Sequence, residues 1–121
     1  MAVYDESTST FQSLCRVLSG FSDEFYKNAT ERLSKTVVES KPFDVMTGEN
    51  PAVWFGTKEV WEIRGAEVQI SPVHACAMGQ IHEGKGLGLR FPRFLRIRDD
   101  KDPDDITTST DIVSMYLKQN K

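Results

Sequence analysis

The chain has 121 residues, a length that fits one domain and is enough to bury a real core. Apolar residues make up 39% and charged residues 27%, the balance of an ordinary globular domain rather than a disordered or collagen-like one. With 15 Lys and Arg against 18 Asp and Glu the net charge is −3, which argues against a binder that relies on overall positive charge.

No apolar run approaches the roughly 18 residues of a membrane span, and Met1-Ala2-Val3-Tyr4-Asp5-Glu6 lacks the charge pattern and apolar core of a signal peptide. Cys15 and Cys76 are too few for a disulfide framework and read as small core residues of a reduced, intracellular protein. There is no internal repeat and no low-complexity tract.

Phe11 to Leu18 has the composition of a strand, bounded by Gly20. Ser22 is a helix N-cap, with Asp23 and Glu24 placed to interact with the positive end of the helix dipole. Phe25, Ala29 and Leu33 share one face, so the helix is predicted to reach about residue 35. Residues 41–52, with two prolines, a glycine and an asparagine, read as a loop.

Val60 to Ile70 reads as a strand with an internal defect. Trp61 and Ile63 alternate on odd positions, Val68 and Ile70 on even ones, and the phase switches at Gly65-Ala66. A bulge or a corner between two sheets does this, as strands do in small barrels. Gly84 to Gly88 holds three glycines in five residues and is predicted to be a turn, since it lacks the spacing and hydroxyl residue of a P-loop. Leu87 to Arg98 reads as a second strong strand. Thr108-x-x-Asp111 is a capping-box pattern, and Ile112, Met115, Tyr116 and Gln119 follow at helical spacing, giving a helix over 109–119. The sum is several twisted strands and two short helices, a small mainly-β barrel.

Chemistry concentrates in Leu89 to Lys101. Four of the seven arginines fall within nine residues there. Strand alternation puts Leu87, Leu89, Phe91, Leu95 and Ile97 on one face and Arg90, Phe94, Arg96 and Arg98 on the other. Guanidiniums with an aromatic suit phosphate and bases, although a solvated strand face has the same pattern. Arg93 falls on the apolar phase, which implies a register change at Pro92. Asp99, Asp100, Asp102, Asp104 and Asp105 follow and balance the local positive charge. They read as a solvated turn, without recognisable metal-ligand spacing. His74-x-Cys76 with His82 offers three zinc-type donors but no nearby fourth, and no nucleophile-elbow pattern is present.

Leu89 to Lys101 resembles the last motif of eukaryotic replicative (type I) ATP-dependent DNA ligases, approximately L-R-F-P-R-F-x-R-V-R-x-D-K, with Ile97 in place of Val. Upstream, Val60-Trp61-Glu62-Ile63 is similar to that family's V-W-E-V, Ile70-Ser71-Pro72-Val73-His74 to L-S-P-V-x, and Gly20-Phe21-Ser22-Asp23-Glu24 to G-F-S-D-E. Thr107-Thr108-Ser109 is similar to T-T-S. Arg64 stands where Lys is usual, and the loop from Ser40 to Trp54 matches poorly.

The resemblance implies a C-terminal OB-fold domain, a Greek-key small barrel, belonging to a larger nuclear ligase that uses ATP and magnesium. It implies that the first OB strand lies upstream of Val3, which would leave an open edge and a tendency to self-associate. It also implies roles. Arg98 and Lys101 would face the β- and γ-phosphates of ATP during enzyme adenylylation, supported by Asp100. Arg90, Phe91, Arg93 and Arg96 would meet nicked duplex DNA, Phe91 as a minor-groove wedge, although alternation places Phe91 on the core face. No Lys-x-Asp-Gly is present to accept the adenylate, so the domain would act with a nucleotidyltransferase domain that also holds the metal, and would not catalyse alone. Two other functions fit an OB-fold: an mRNA capping guanylyltransferase domain, which shares R-x-D-K, and a non-enzymatic single-strand-binding module.

Overall fold

The structure, a computed structural model, describes residues 1–119. Strand β1 (Ala2–Asp5) pairs antiparallel with β2 (Thr10–Ser13), and β4 (Val45–Met46) adds parallel to β2. Helix α1 (Asp23–Ser34) follows β2, and β3 (Val37–Val38) pairs with β5 (Trp54–Phe55). Two antiparallel ladders complete the sheet structure: β6 (Trp61–Arg64) with β9 (Arg93–Ile97), and β7 (Glu67–Ser71) with β8 (Gly86–Arg90). Helix α2 (Ser109–Gln119) ends the described chain. Mainly β in small sheets with two short helices, this is an OB-fold-like domain. No helix among the described residues is long and apolar enough to cross a membrane.

The phase switch at Gly65-Ala66 is a corner. β6 ends on one side of it and β7 begins on the other, each pairing in a different sheet. A Cβ at Gly65 would lie 2.3 Å from the Leu89 side chain, so the corner needs glycine to let β8 pass. The chain beyond β2 closes the layers: Leu89 N–H donates to Leu14 O at 3.0 Å, and Cys76 N–H to Ser13 O at 3.0 Å.

Packing follows from this closure. Val3, Leu14, Val68, Cys76, Ala77, Leu87 and Ile112 form one buried cluster between the β1–β2 and β7–β8 layers and α2. A second cluster holds α1 on the β6–β9 ladder. Phe94 packs against Phe25 at a centroid distance of 4.4 Å and edge-on to Trp61 at 4.9 Å, with Phe21 beside them. Arg32 of α1 clasps Glu59 through two nitrogens at 2.7 and 3.0 Å, and Trp61 Nε1 donates to the same carboxylate at 2.9 Å.

Both helix starts follow the sequence. Phe25 N–H donates to Ser22 Oγ at 3.0 Å. Thr108 and Asp111 exchange reciprocal bonds of 3.0 and 3.2 Å. At its far end α2 is clipped to β7: Gln119 accepts from Val68 N–H at 3.0 Å and donates to Val68 O. A buried carboxylate ties α2 to the first hairpin. Asp5 accepts from Thr8, Ser7, Gln12 and Ser109, and these bonds, the Thr8 hydroxyl foremost, hold its pKa below the usual value despite burial.

Several expectations are corrected. β1 was not predicted, and the ladder at β2 is shorter than Phe11 to Leu18. The 41–52 loop contains β4, whose partner is more than thirty residues away in sequence. Gly86 and Gly88 are strand residues, and only Gly84 of the three glycines belongs to a turn. A Cβ at Gly86 would lie 2.1 Å from His74 O, so its glycine serves close backbone approach rather than a turn. Cys15 and Cys76 are free and buried, and burial pushes the Cys76 thiol up to about 12.

Candidate phosphate and nucleic-acid interface

Residues 87–98 do not form one strand. The chain breaks at Phe91-Pro92, where Phe91 takes φ +53°. A second irregularity lies in the β6–β9 ladder, where Glu62 faces Arg96 and Ile63 faces Phe94, leaving Leu95 as an extra residue between the pairs. Together these overturn the predicted faces. Leu87 and Phe94 are buried, whereas Phe91 is 69% and Leu95 46% exposed. Phe94 therefore leaves the candidate binding face and Phe91 joins it. The break at Pro92 settles the conflict between alternation and resemblance in favour of an outward Phe91.

At the outer turn, Arg90 Cζ sits 4.7 Å from the centroid of the Phe91 ring, and Arg90 Nη1 donates to Glu67 at 2.8 Å. Arg93 stands exposed across the ladder from Arg64. Arg96 donates to Glu62 Oε1 through two nitrogens at 3.3 and 3.2 Å.

Arg98 is the most constrained of the predicted site residues. Its backbone N–H donates to Val60 O at 2.7 Å, fixing it just beyond β9. Its guanidinium makes a fork onto Asp100, at 2.9 and 2.8 Å, and a third bond to Glu62 at 2.9 Å. The Asp100 fork foremost, then Glu62, raises the Arg98 pKa. In return Arg98 holds the Asp100 carboxyl far below the usual carboxylate range. Glu62, bonded to Arg96 first and Arg98 second, is also lowered. Lys101 is exposed, with Nζ 4.0 Å from Asp105.

Arg96, Glu62, Arg98 and Asp100 thus form one alternating chain of charge. The sequence reading missed Glu62, although its place between inward Trp61 and Ile63 marks it as facing outward. It also missed Arg64. Beside this chain the sheets enclose an open cleft of about 1490 Å³, lined in part by Val3, Leu14, Trp54 and Ile63, and also by Arg98 and Lys101. Among the described residues no three His, Cys, Asp or Glu side chains converge to hold a metal, and His74, Cys76 and His82 form no such group.

The site is thus a forked Arg-Asp pair beyond one strand and an arginine-flanked aromatic at a turn, carried on an OB-fold-like domain. The family model described as ATP dependent DNA ligase C terminal region matches residues 1–101, and the chain belongs to that family. It is 43% identical over its whole length to DNA ligase 6 of Arabidopsis thaliana. It is 42% identical over 98% of its length to DNA ligase 3 of Schizosaccharomyces pombe, and 43% identical over 98% to a DNA ligase of the archaeon Hyperthermus butylicus. The chain spans 9%, 16% and 20% of the lengths of these relatives.

Proposed function

We propose that this chain is the C-terminal OB-fold domain of a nuclear, replicative-type eukaryotic DNA ligase, acting in strand joining during replication and repair. In this reading Arg98 and Lys101 orient the outer phosphates of ATP during enzyme adenylylation, with Asp100 aiming Arg98. Arg90, Phe91, Arg93 and Arg96 engage nicked duplex. The observation that carries the reading is the Arg98–Asp100 fork, a guanidinium held preorganised for an oxyanion at the edge of an open cleft. The adenylate-accepting lysine and magnesium are assigned to a nucleotidyltransferase domain of the longer protein, and no step is routed through a metal held here.

The test is covalent labelling. The complete polypeptide, incubated with magnesium and labelled ATP or GTP, is expected to form a nucleotide adduct from ATP alone. Labelling by GTP would move the domain to capping chemistry. Labelling by neither would leave a binding module without chemistry. The ligase family match favours the first outcome.

Phe91 gives a second check. An L-residue in the left-handed region costs roughly 1–2 kcal/mol, and asparagine tolerates it better. With its ring mostly in solvent, Phe91 recovers little of that cost by burial. Phe91→Asn is therefore expected to leave the melting temperature unchanged or raised while weakening affinity for nicked duplex, as a lost wedge would. A lowered melting temperature with unchanged affinity would make Phe91 a packing residue.

The open cleft, together with Phe43 and Leu18 outside it at 95% and 87% exposure, supports self-association of the 121-residue chain. Light scattering at high protein concentration is expected to give a mass above that of the monomer, and a strictly monomeric species would reject this.

A further inference from the structure

Two arginines stand apart from the other five. Arg16, Arg32, Arg90, Arg96 and Arg98 each meet a carboxylate. Among the described residues, Arg64 and Arg93 have no ion pair and no side-chain hydrogen bond. These two are direct cross-strand partners in the β6–β9 ladder, and both are exposed.

Like charges directly opposite each other destabilise a sheet. The nearby carboxylates do not relieve the repulsion. Glu62, two residues before Arg64, accepts from Arg96 and Arg98, and Glu67 accepts from Arg90. An oxyanion between the two guanidiniums would convert the repulsion into two charge-assisted contacts.

The frame around the pair is preformed. Phe94 N–H donates to Ser19 O at 2.9 Å and Ser19 Oγ to Pro92 O at 3.2 Å, pinning the backbone on both sides of Arg93. Arg64 immediately precedes the Gly65-Ala66 corner, and Ala66 N–H donates to Arg90 O at 2.9 Å, so the corner and the Phe91 turn are tied together. The pair therefore lies on the tip that carries Arg90 and Phe91. The opposite end of the same ladder is the Trp61–Ile97 pair, beyond which lies Arg98. Arg98, held against Val60, lies four residues along from Arg64, about 13 Å at strand rise, so the two cationic centres present themselves to different anions.

We propose that Arg64 and Arg93 together form a two-guanidinium seat for a single phosphodiester of duplex DNA, making Arg64 a DNA-backbone contact. This rests on the DNA-ligase reading above, and the two fail separately in the following experiment. Binding of the complete ligase to a nicked duplex is titrated across a range of salt, for wild type, Arg64→Ala, Arg93→Ala and the double variant. Each phosphate neutralised contributes about one to the slope of log K against log salt. Each single variant is expected to lose about one from that slope, and the double variant also about one, because both arginines serve the same phosphate.

Arg64→Lys keeps the charge and is expected to retain the slope. The melting temperature of Arg64→Ala is expected to hold or rise, since a repulsion is removed, and this separates lost binding from lost folding. A wild type without salt-dependent binding overturns the DNA reading itself. Salt-dependent binding with an unchanged slope in Arg64→Ala overturns the seat alone. A double variant that loses about two overturns the shared phosphate.

Discussion

Arg98→Ala in the complete ligase is expected to slow self-adenylylation by about 10²–10³-fold, the usual cost of removing one preorganised charge stabiliser. Sealing of a nick that already carries AMP is expected to fall by less than about tenfold. The asymmetry follows from the chemistry in the proposed reading. Negative charge develops on departing pyrophosphate only while the enzyme is being adenylylated, so a guanidinium aimed at the outer phosphates of ATP stabilises that transition state and not the later ones.

The geometry also states what must happen for Arg98 to act. Three of its five N–H donors are engaged by Asp100 and Glu62, so a phosphate either takes the remaining two or displaces a carboxylate. Protonation cannot release it near neutral pH, because Arg98 holds Asp100 ionised far into the acid range. Arg98→Lys keeps a charge but loses the planar fork and is expected to fall between wild type and alanine. Measured side by side, single-turnover adenylylation and sealing of pre-adenylylated substrate decide the matter. Equal losses in both would defeat the assigned role.

What was legible in the sequence was local. Ser22 before Asp23 and Glu24, and Thr108 before Asp111, carry their own hydrogen-bond partners within four residues, and both helices begin there. The Gly65 corner was legible because the apolar phase reverses on either side of it. Features that depend on distant partners were not. β4 exists because Val45 and Met46 meet β2, and two residues without that neighbour carry no strand signal. Glu62 and Arg64 acquire their meaning only from the register that sets them against Arg96 and Arg93. The segment from 87 to 98 misled for a different reason. Two phase shifts, at Phe91-Pro92 and at Leu95, lie within five residues, and a period of two cannot be read through both. The first turns Phe91 outward and the second restores Ile97 to the side of Phe94.

Phe94 is where the sequence and the structure make opposing forecasts. On uninterrupted alternation Phe94 shares a face with Arg90, Arg96 and Arg98 and would serve to stack on a base. In the structure it is 7% exposed and lies at the centre of the cluster that joins α1 to β6–β9, against Phe25, Trp61 and Phe21. Phe94→Ala is therefore expected to destabilise the 121-residue chain by about 3–5 kcal/mol, the cost of emptying a packed aromatic site. That is a large share of the roughly 5–15 kcal/mol that holds a domain of this kind together. The loss should appear as a lower urea midpoint with little change in slope. Leu95→Ala, one residue away but half exposed, is expected to stay within about 0.5 kcal/mol of wild type. Reversal of the two, with Leu95→Ala destabilising and Phe94→Ala neutral to folding but weaker on DNA, would restore the unbroken strand. It would also return Phe91 to the core and remove the outward turn on which the Arg90–Phe91 contact to nicked duplex depends.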